Sequence, residues 1–165
     1  MQGSISQEQT GLPKFRRYGG YTAYSEGWGL YSEYIPKEMG LYEDPYSDFG
    51  RLSMELWRAC RLVVDTGLHA QGWSREKATS YLTANTASNE SANLKAIERY
   101  MVMPGQATAY KIGMLKILEL REKARASLGD KFDIRAFHEV VLSNGAVPLN
   151  VLEDLVNDWV ASTQG

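Results

Sequence analysis

Cysteine and histidine are nearly missing from this chain. Of 165 residues one is cysteine, Cys60, which excludes an internal disulfide, and two are histidine, His69 and His138. Neither histidine has a second imidazole one helical turn away, so a zinc site of the HExxH kind, with two histidines on one helix face, is excluded. Neither sign of charge is in excess. With 18 basic and 20 acidic residues the net charge is −2, and nothing global draws the chain to nucleic acid or to an acidic membrane. No apolar run approaches the roughly 18 residues of a membrane span, and the start does not read as a signal peptide. No useful stretch alternates apolar and polar residues, which leaves no strand to predict. Repeats and low-complexity segments are also missing.

What is present reads as helix. A chain of this length, 44% hydrophobic, can bury one core, and we expect a single all-α domain over residues 1–165 with seven or so helices. Ser4 and Gln7 are spaced as a capping box for a short first helix, ended by Gly11-Leu12-Pro13. The basic cluster Lys14, Arg16, Arg17 around Phe15 reads as a solvated loop. Helices are expected at about 23–39, 46–69, 74–84, 88–100, 106–128, 133–144 and 148–160. Their start signals are Thr22, Asp44-Pro45, Ser74, Ser88, the Met103-Pro104-Gly105 break, Asp133 and Pro148. The second of these has Leu52, Leu56, Cys60, Val63, Val64 and Leu68 as its apolar set. The long 106–128 helix has Ile112, Leu115, Ile117, Leu118 and Leu120.

The most unusual stretch is Gly19 to Tyr34, GGYTAYSEGWGLYSEY. It carries two glutamates, five aromatics and four glycines. Gly27 and Gly29 each cost a helix roughly 1 kcal/mol against alanine, which points to close approach by a neighbouring backbone or a ligand. Gly113 in the long helix points to a tight helix crossing. Glu26, Leu30 and Glu33 share one side, and Glu26 reads either as a surface residue on an aromatic packing helix or as a functional carboxylate. Tyr21, Tyr24, Trp28, Tyr31 and Trp57 read as core rings rather than a substrate platform.

A polar stripe runs along the 46–69 helix. Arg58, Arg61, Asp65 and His69 follow one another at spacings of three and four. A histidine oriented by a carboxylate suits a proton shuttle or an oxyanion donor, so His69 with Asp65 behind it is a candidate pair. The alternative is a surface network worth a few tenths of a kcal/mol per pair. Arg61 can hold a substrate carboxylate in its fork. Tyr110, near the start of the helix after the Pro-Gly break, is placed either to pack or to donate to an oxyanion. His138 reads as a partly buried structural histidine.

Three segments carry a family likeness: TAYSEGWGLYSE (22–33), DPYSDFGRL (44–52) and MPGQATAYKIG (103–113). In them, and over about residues 2–159, the chain resembles the C-terminal part of the bacterial domain-of-unknown-function family 885. That family in turn resembles the gluzincin zinc metallopeptidases. There a helix bearing His-Glu-x-x-x-Pro-Gly-His-His supplies the histidine ligands and a downstream glutamate completes the site. The resemblance implies that Glu26 is that glutamate and that Tyr110 stabilises the oxyanion, with His69 as a second candidate for that role. It implies zinc and a peptide-like substrate for a longer parent, of which this chain would be a C-terminal fragment starting inside the histidine-bearing helix. The histidine motif itself is not in this sequence. The chain alone is therefore expected to hold no zinc and to be inactive, and surface around Tyr24, Trp28 and Tyr31 is expected to be uncovered and to drive homo-oligomerisation. The alternative is a non-catalytic helical interaction or assembly module.

Overall fold

The computed structural model describes residues 2–165, and among these the secondary structure is helical throughout, with no strand. The order is α1 (Gln2–Glu8), α2 (Lys14–Tyr18), α3 (Thr22–Glu38), α4 (Pro45–Ala70), α5 (Arg75–Asn85), α6 (Glu90–Val102), α7 (Gln106–Leu128), a 3₁₀ turn (Gly129–Lys131), α8 (Ile134–Ser143) and α9 (Leu149–Gln164). The all-α class expected from the sequence is the one observed.

Most starts follow their local signals. Asp44 accepts from the backbone N–H groups of Tyr46 and Ser47, with Pro45 as the first helical residue. Ser74 accepts from Lys77, and Asp133 from Arg135. Four expectations are corrected. Asn89, rather than Ser88, caps α6 through Ala92 N–H. Thr22 lies inside α3, whose first N–H groups are met by the Tyr21 carbonyl. Ser4 lies inside α1, so it cannot cap it; its expected box partner Gln7 instead accepts from Arg17 through its carbonyl. Lys14–Tyr18 is a helix rather than a loop, started by the Pro13 carbonyl, which accepts from Arg16 and Arg17.

The chain divides into two compact units, Met1–Gly29 with Ile112–Gly165, and Leu30–Lys111. In the first, α1 packs on α2 and α8, and α8 on α9. Its core holds Tyr24, Met114, Ile117, Leu120, Phe137, Val141, Leu152 and Val156, all at most 2% exposed. The Tyr24 hydroxyl donates to the Val141 carbonyl at 2.5 Å, and burial pushes its pKa up to about 12. Trp28 stands edge-on to His138, with ring centroids 5.5 Å apart, consistent with a structural histidine. Here α3 and α7 cross with no room for a side chain. A methyl built on Gly113 would collide with the Ala23 carbonyl and lie 2.6 Å from Gly27 Cα, whereas one on Gly29 would meet nothing within 4 Å. Gly27 and Gly113 thus form the backbone approach that their helix-breaking cost pointed to.

In the second unit α4, α5 and α6 pack on one another around Cys60, Val64, Ala78, Leu82, Ile97, Tyr100 and Ala107. Burial raises the Cys60 thiol. Two expectations of burial are corrected. Tyr24 and Tyr31 are fully covered, so they are not surface left bare. Tyr21 just before α3, Leu52 and Leu56 on α4, and Ile112 and Leu115 on α7 are exposed by 45–49%, and Val63 by 38%, instead of lying in a core.

An ion row borders α4. Glu55 accepts from Lys111 at 2.6 Å and from Arg51 at 2.8 Å. Burial alone would raise its pKa, but the two cations outweigh burial and hold it below 4.5. A depressed carboxylate stabilises the fold above its unfolded pKa and loses that contribution as pH falls through its folded value. The row is partly exposed, so about 0.5–1 kcal/mol is expected from it. Urea midpoints between pH 6 and pH 3 should therefore fall less steeply in Glu55→Gln than in the parent chain; parallel slopes would show that the row contributes nothing.

Candidate functional site

The second unit gathers four of the five residues singled out in the sequence. Arg61, Asp65 and His69 follow one another along α4, and Tyr110 lies in the second turn of α7. What joins them is the turn between α6 and α7, through Tyr100 and Gly105. Glu26 belongs to the other unit, half-buried on α3 next to the Gly27–Gly113 crossing.

Asp65 is only 4% exposed, and its two carboxylate oxygens accept from the Gly105 N–H at 3.1 and 3.3 Å. Gly105 has φ of +80°, a left-handed conformation that the glycine adopts without strain. A buried carboxylate thus pins the turn that opens α7 and with it the position of Tyr110. His69 donates from Nε2–H to the Tyr100 carbonyl at 2.9 Å, since a carbonyl can only accept. The expected Asp65–His69 pair is therefore not how these residues are used: each fastens α4 to a different part of the α6–α7 segment. With Nε2 spent on that carbonyl, Nδ1 is the ring nitrogen of His69 left for another partner.

Arginines and aromatic rings fill the rest of the site. The Arg61 guanidinium lies over Tyr110 at 5.0 Å, Tyr100 at 5.4 Å and Trp57 at 5.8 Å from the ring centroids. Arg58 lies over Tyr110 at 5.4 Å. Such stacking is worth roughly 0.5–2 kcal/mol per contact and holds a guanidinium without consuming its donors. Neither arginine has a carboxylate partner among the described residues; the one polar contact of Arg58 is Met54 Sδ at 3.7 Å. Their Nε atoms and the Tyr100 hydroxyl are shielded from solvent and have no hydrogen-bond partner. Burial raises the Tyr100 phenol, with Arg61 pulling the other way. The Tyr110 hydroxyl meets Gln106 Nε2 at 3.4 Å, a long contact that leaves it open to a better partner.

Arg58 and Tyr100 are functional candidates that pattern reading passed over. The helical stripe contained Arg58, but only the shared stacking on Tyr110 separates it from an ordinary surface arginine. Tyr100 had no local signal, because its importance comes from α4 packing across it.

Among the described residues no group of three His, Cys, Asp or Glu side chains is placed to hold a metal ion. A family model for bacterial proteins of unknown function, DUF885, matches residues 1–156. The chain belongs to this family. Two solved structures are similar to it. A candidate lipoprotein from Colwellia psychrerythraea is 56% identical, with a TM-score of 0.95 over 98% of this chain. A candidate lipoprotein of unknown function from Shewanella oneidensis is 25% identical, with a TM-score of 0.86 over 94%. The chain spans 28% of the length of each, so it corresponds to a minor part of those proteins. No curated protein matches the sequence.

Proposed function

We propose that this DUF885 chain is part of a metal-dependent hydrolase of peptide-like amides, contributing Glu26 as a metal ligand and the α4–α6–α7 cluster as substrate-binding groups. The observation that carries the reading is that cluster: two arginines with unspent donors, stacked on a tyrosine whose hydroxyl lacks a good partner. Packing alone does not require two unpaired guanidiniums side by side, and their mutual repulsion is relieved by an anionic ligand. In this reading Arg61 binds substrate, Tyr110 donates to the developing oxyanion, His69 moves a proton through Nδ1, and Asp65 positions Tyr110 through Gly105.

Zinc is the metal that the gluzincin resemblance suggests, and the described residues do not complete a site for it. A catalytic zinc takes about three protein ligands, and Glu26 supplies one. The other ligands would have to come from a longer polypeptide, in keeping with the short span of the solved relatives that this chain covers.

Zinc calorimetry tests the assignment. The 165-residue chain should take up no stoichiometric zinc, while a polypeptide extended upstream through a His-Glu-x-x-x-Pro-Gly-His-His helix should bind about one. In that longer protein Glu26→Gln keeps side-chain size, loses the anionic ligand and should weaken zinc about tenfold or more. Tyr110→Phe should keep the zinc and lower turnover by roughly 10²–10³, as for loss of one oxyanion donor. Unchanged zinc affinity in Glu26→Gln would end this reading.

One feature favours an assembly module instead. Phe49, Leu52, Leu56 and Val63, with Ala59 between the last two, recur at spacings of three and four along α4, and the four large ones are 38–63% exposed. Leu52, Leu56 and Ala59 also line a shallow groove of about 270 Å³ flanked by Glu55 and Lys111. That spacing is the seam pattern of a helix pair, so a second copy is the occupant this reading requires. Sedimentation should then show a dimer that Leu56→Glu dissociates; a monomer at high micromolar concentration counts against it.

A further inference from the structure

We propose that Arg58, Arg61 and Tyr100 form a recognition site for a free carboxylate, so that the ligand is a peptide or acylated amino acid with an unblocked C-terminus. Naming a peptide-like ligand rests on the hydrolase reading above; the carboxylate site itself needs no metal.

Three independent observations converge. The first is the unsatisfied set. Tyr100 is 3% exposed and its hydroxyl is unpartnered, with Arg61 and Trp57 beside it but outside hydrogen-bond geometry. The Nε atoms of Arg58 and Arg61 are likewise shielded and unpartnered. Buried polar groups left unpaired cost about 1–3 kcal/mol each, and three in one cluster call for an acceptor that enters between them. The second is how the arginines are held. Stacking on Tyr110, Tyr100 and Trp57 fixes the planes of the guanidiniums while leaving their Nε–H groups uncommitted, Arg58 using only Nη1, on Met54 Sδ. A guanidinium edge presents two parallel donors, Nε–H and Nη–H, at the spacing of the two oxygens of a carboxylate. The third is charge. Two adjacent cations without carboxylate partners favour an anion, but Asp65 is fixed one turn along α4 from Arg61. That buried carboxylate opposes a second negative charge on the ligand, so a monoanion fits better than a phosphate dianion. The acceptor capacity is sufficient: the roughly four lone-pair sites of a carboxylate can meet the three unpartnered donors, Arg58 Nε–H, Arg61 Nε–H and the Tyr100 hydroxyl.

The test is a titration of the 165-residue chain, without metal, read by the arginine ¹⁵Nε–¹Hε resonances. The probes are acetyl-dialanine with a free C-terminus, its C-terminal amide, and inorganic phosphate. The free acid should shift two arginine side chains along one saturating curve, and the amide should shift neither. Arg61→Gln and Arg58→Gln should each weaken binding about tenfold or more, as expected for loss of a charged hydrogen-bonding partner. Arg61→Lys keeps the charge without the fork and should recover only part of that loss. Tyr100→Phe removes one hydroxyl at constant shape and should weaken binding roughly threefold to tenfold while far-ultraviolet circular dichroism stays unchanged. This variant and the unmodified chain decide the matter if an arginine variant fails to fold. The proposal is overturned if the amide or phosphate binds as tightly as the free acid, if no arginine Nε resonance moves, or if Tyr100→Phe binds like the parent. Since zinc takes no part, a negative result here leaves the Glu26 assignment standing, and unchanged zinc binding in Glu26→Gln leaves this site standing.

Discussion

Gly113→Ala should destabilise the chain by about 3 kcal/mol, a larger loss than one added methyl usually causes on a helix. On an exposed helix the same substitution is favourable, because alanine exceeds glycine in helix propensity by about 1 kcal/mol. Here the methyl would run into the Ala23 carbonyl and lie 2.6 Å from Gly27 Cα, with backbone on both sides and no flexible side chain to yield. Separating α3 from α7 would loosen contacts around Tyr24, Met114 and Ile117, which lie in the same core. Gly27→Ala should behave alike, since its methyl would lie 2.5 Å from the Gly113 carbonyl carbon and 2.9 Å from Met114 N. Gly29→Ala, two residues further on, has open space and should stabilise by up to about 1 kcal/mol. Urea unfolding of the three variants checks the argument. If Gly113→Ala and Gly29→Ala shift the midpoint in the same direction, the crossing is not the constraint described here.

That contrast shows how far the fold could be read from the sequence. The two glycines in the Gly19–Tyr34 stretch looked equivalent by propensity, and both suggested close approach. Only one meets a backbone, because which glycine faces the crossing depends on where α7 lies, and no local pattern carries that. Helix starts were legible where a side chain acts on its own chain, as at Asp44, Ser74 and Asp133. They were misread by a residue where backbone carbonyls or a neighbouring asparagine did the capping, as at Tyr21 and Asn89. Apolar periodicity on α4 correctly picked Cys60 and Val64 as core, yet also picked Leu52 and Leu56. Periodicity marks a face that prefers cover, and it cannot say whether these residues supply that cover.

The site followed the same rule. Arg61, Asp65 and His69 were legible as one stripe because α4 is a single regular helix, and their spacing suggested that they act on one another. In the structure they act outwards. Hydrogen bonds to Gly105 and Tyr100 lie 40 and 31 residues away in sequence, a separation that intrahelical spacing cannot reveal. Tyr110 was found through its place after the Pro-Gly break, but its use as a platform for two guanidiniums depends on where α4 runs. Arg58 and Tyr100 were missed for that reason.

Asp65→Ala should cost about 2–3 kcal/mol, and its effect should reach beyond stability. Hydrogen bonds to charged groups contribute about 1.5–3 kcal/mol, and a buried donor left unmet costs its desolvation as well. Removing the carboxylate strands the Gly105 N–H, which donates to both Asp65 oxygens, and leaves the left-handed turn at Gly105 with the local Thr108 hydroxyl on its carbonyl but no tie to α4 through its N–H. The turn sets where α7 begins, so Tyr110 and the guanidiniums stacked on it should become mobile. Asp65→Asn keeps an acceptor at constant size and should lose no more than about half as much. Two measurements separate a positioning role from simple loss of packing. Urea midpoints should fall in the order parent, Asp65→Asn, Asp65→Ala. The arginine Nε resonances of Arg58 and Arg61 should broaden or shift in Asp65→Ala yet stay near their parent positions in Leu82→Ala. The latter is a cavity variant in the same unit, in which a fully buried core residue is removed for a comparable cost of 2–5 kcal/mol. If both variants disturb those resonances equally, Asp65 supports the unit as any core residue does and has no special hold on Tyr110. If only Asp65→Ala does, the buried carboxylate is what sets the cluster's geometry, by fixing the turn from which α7 starts.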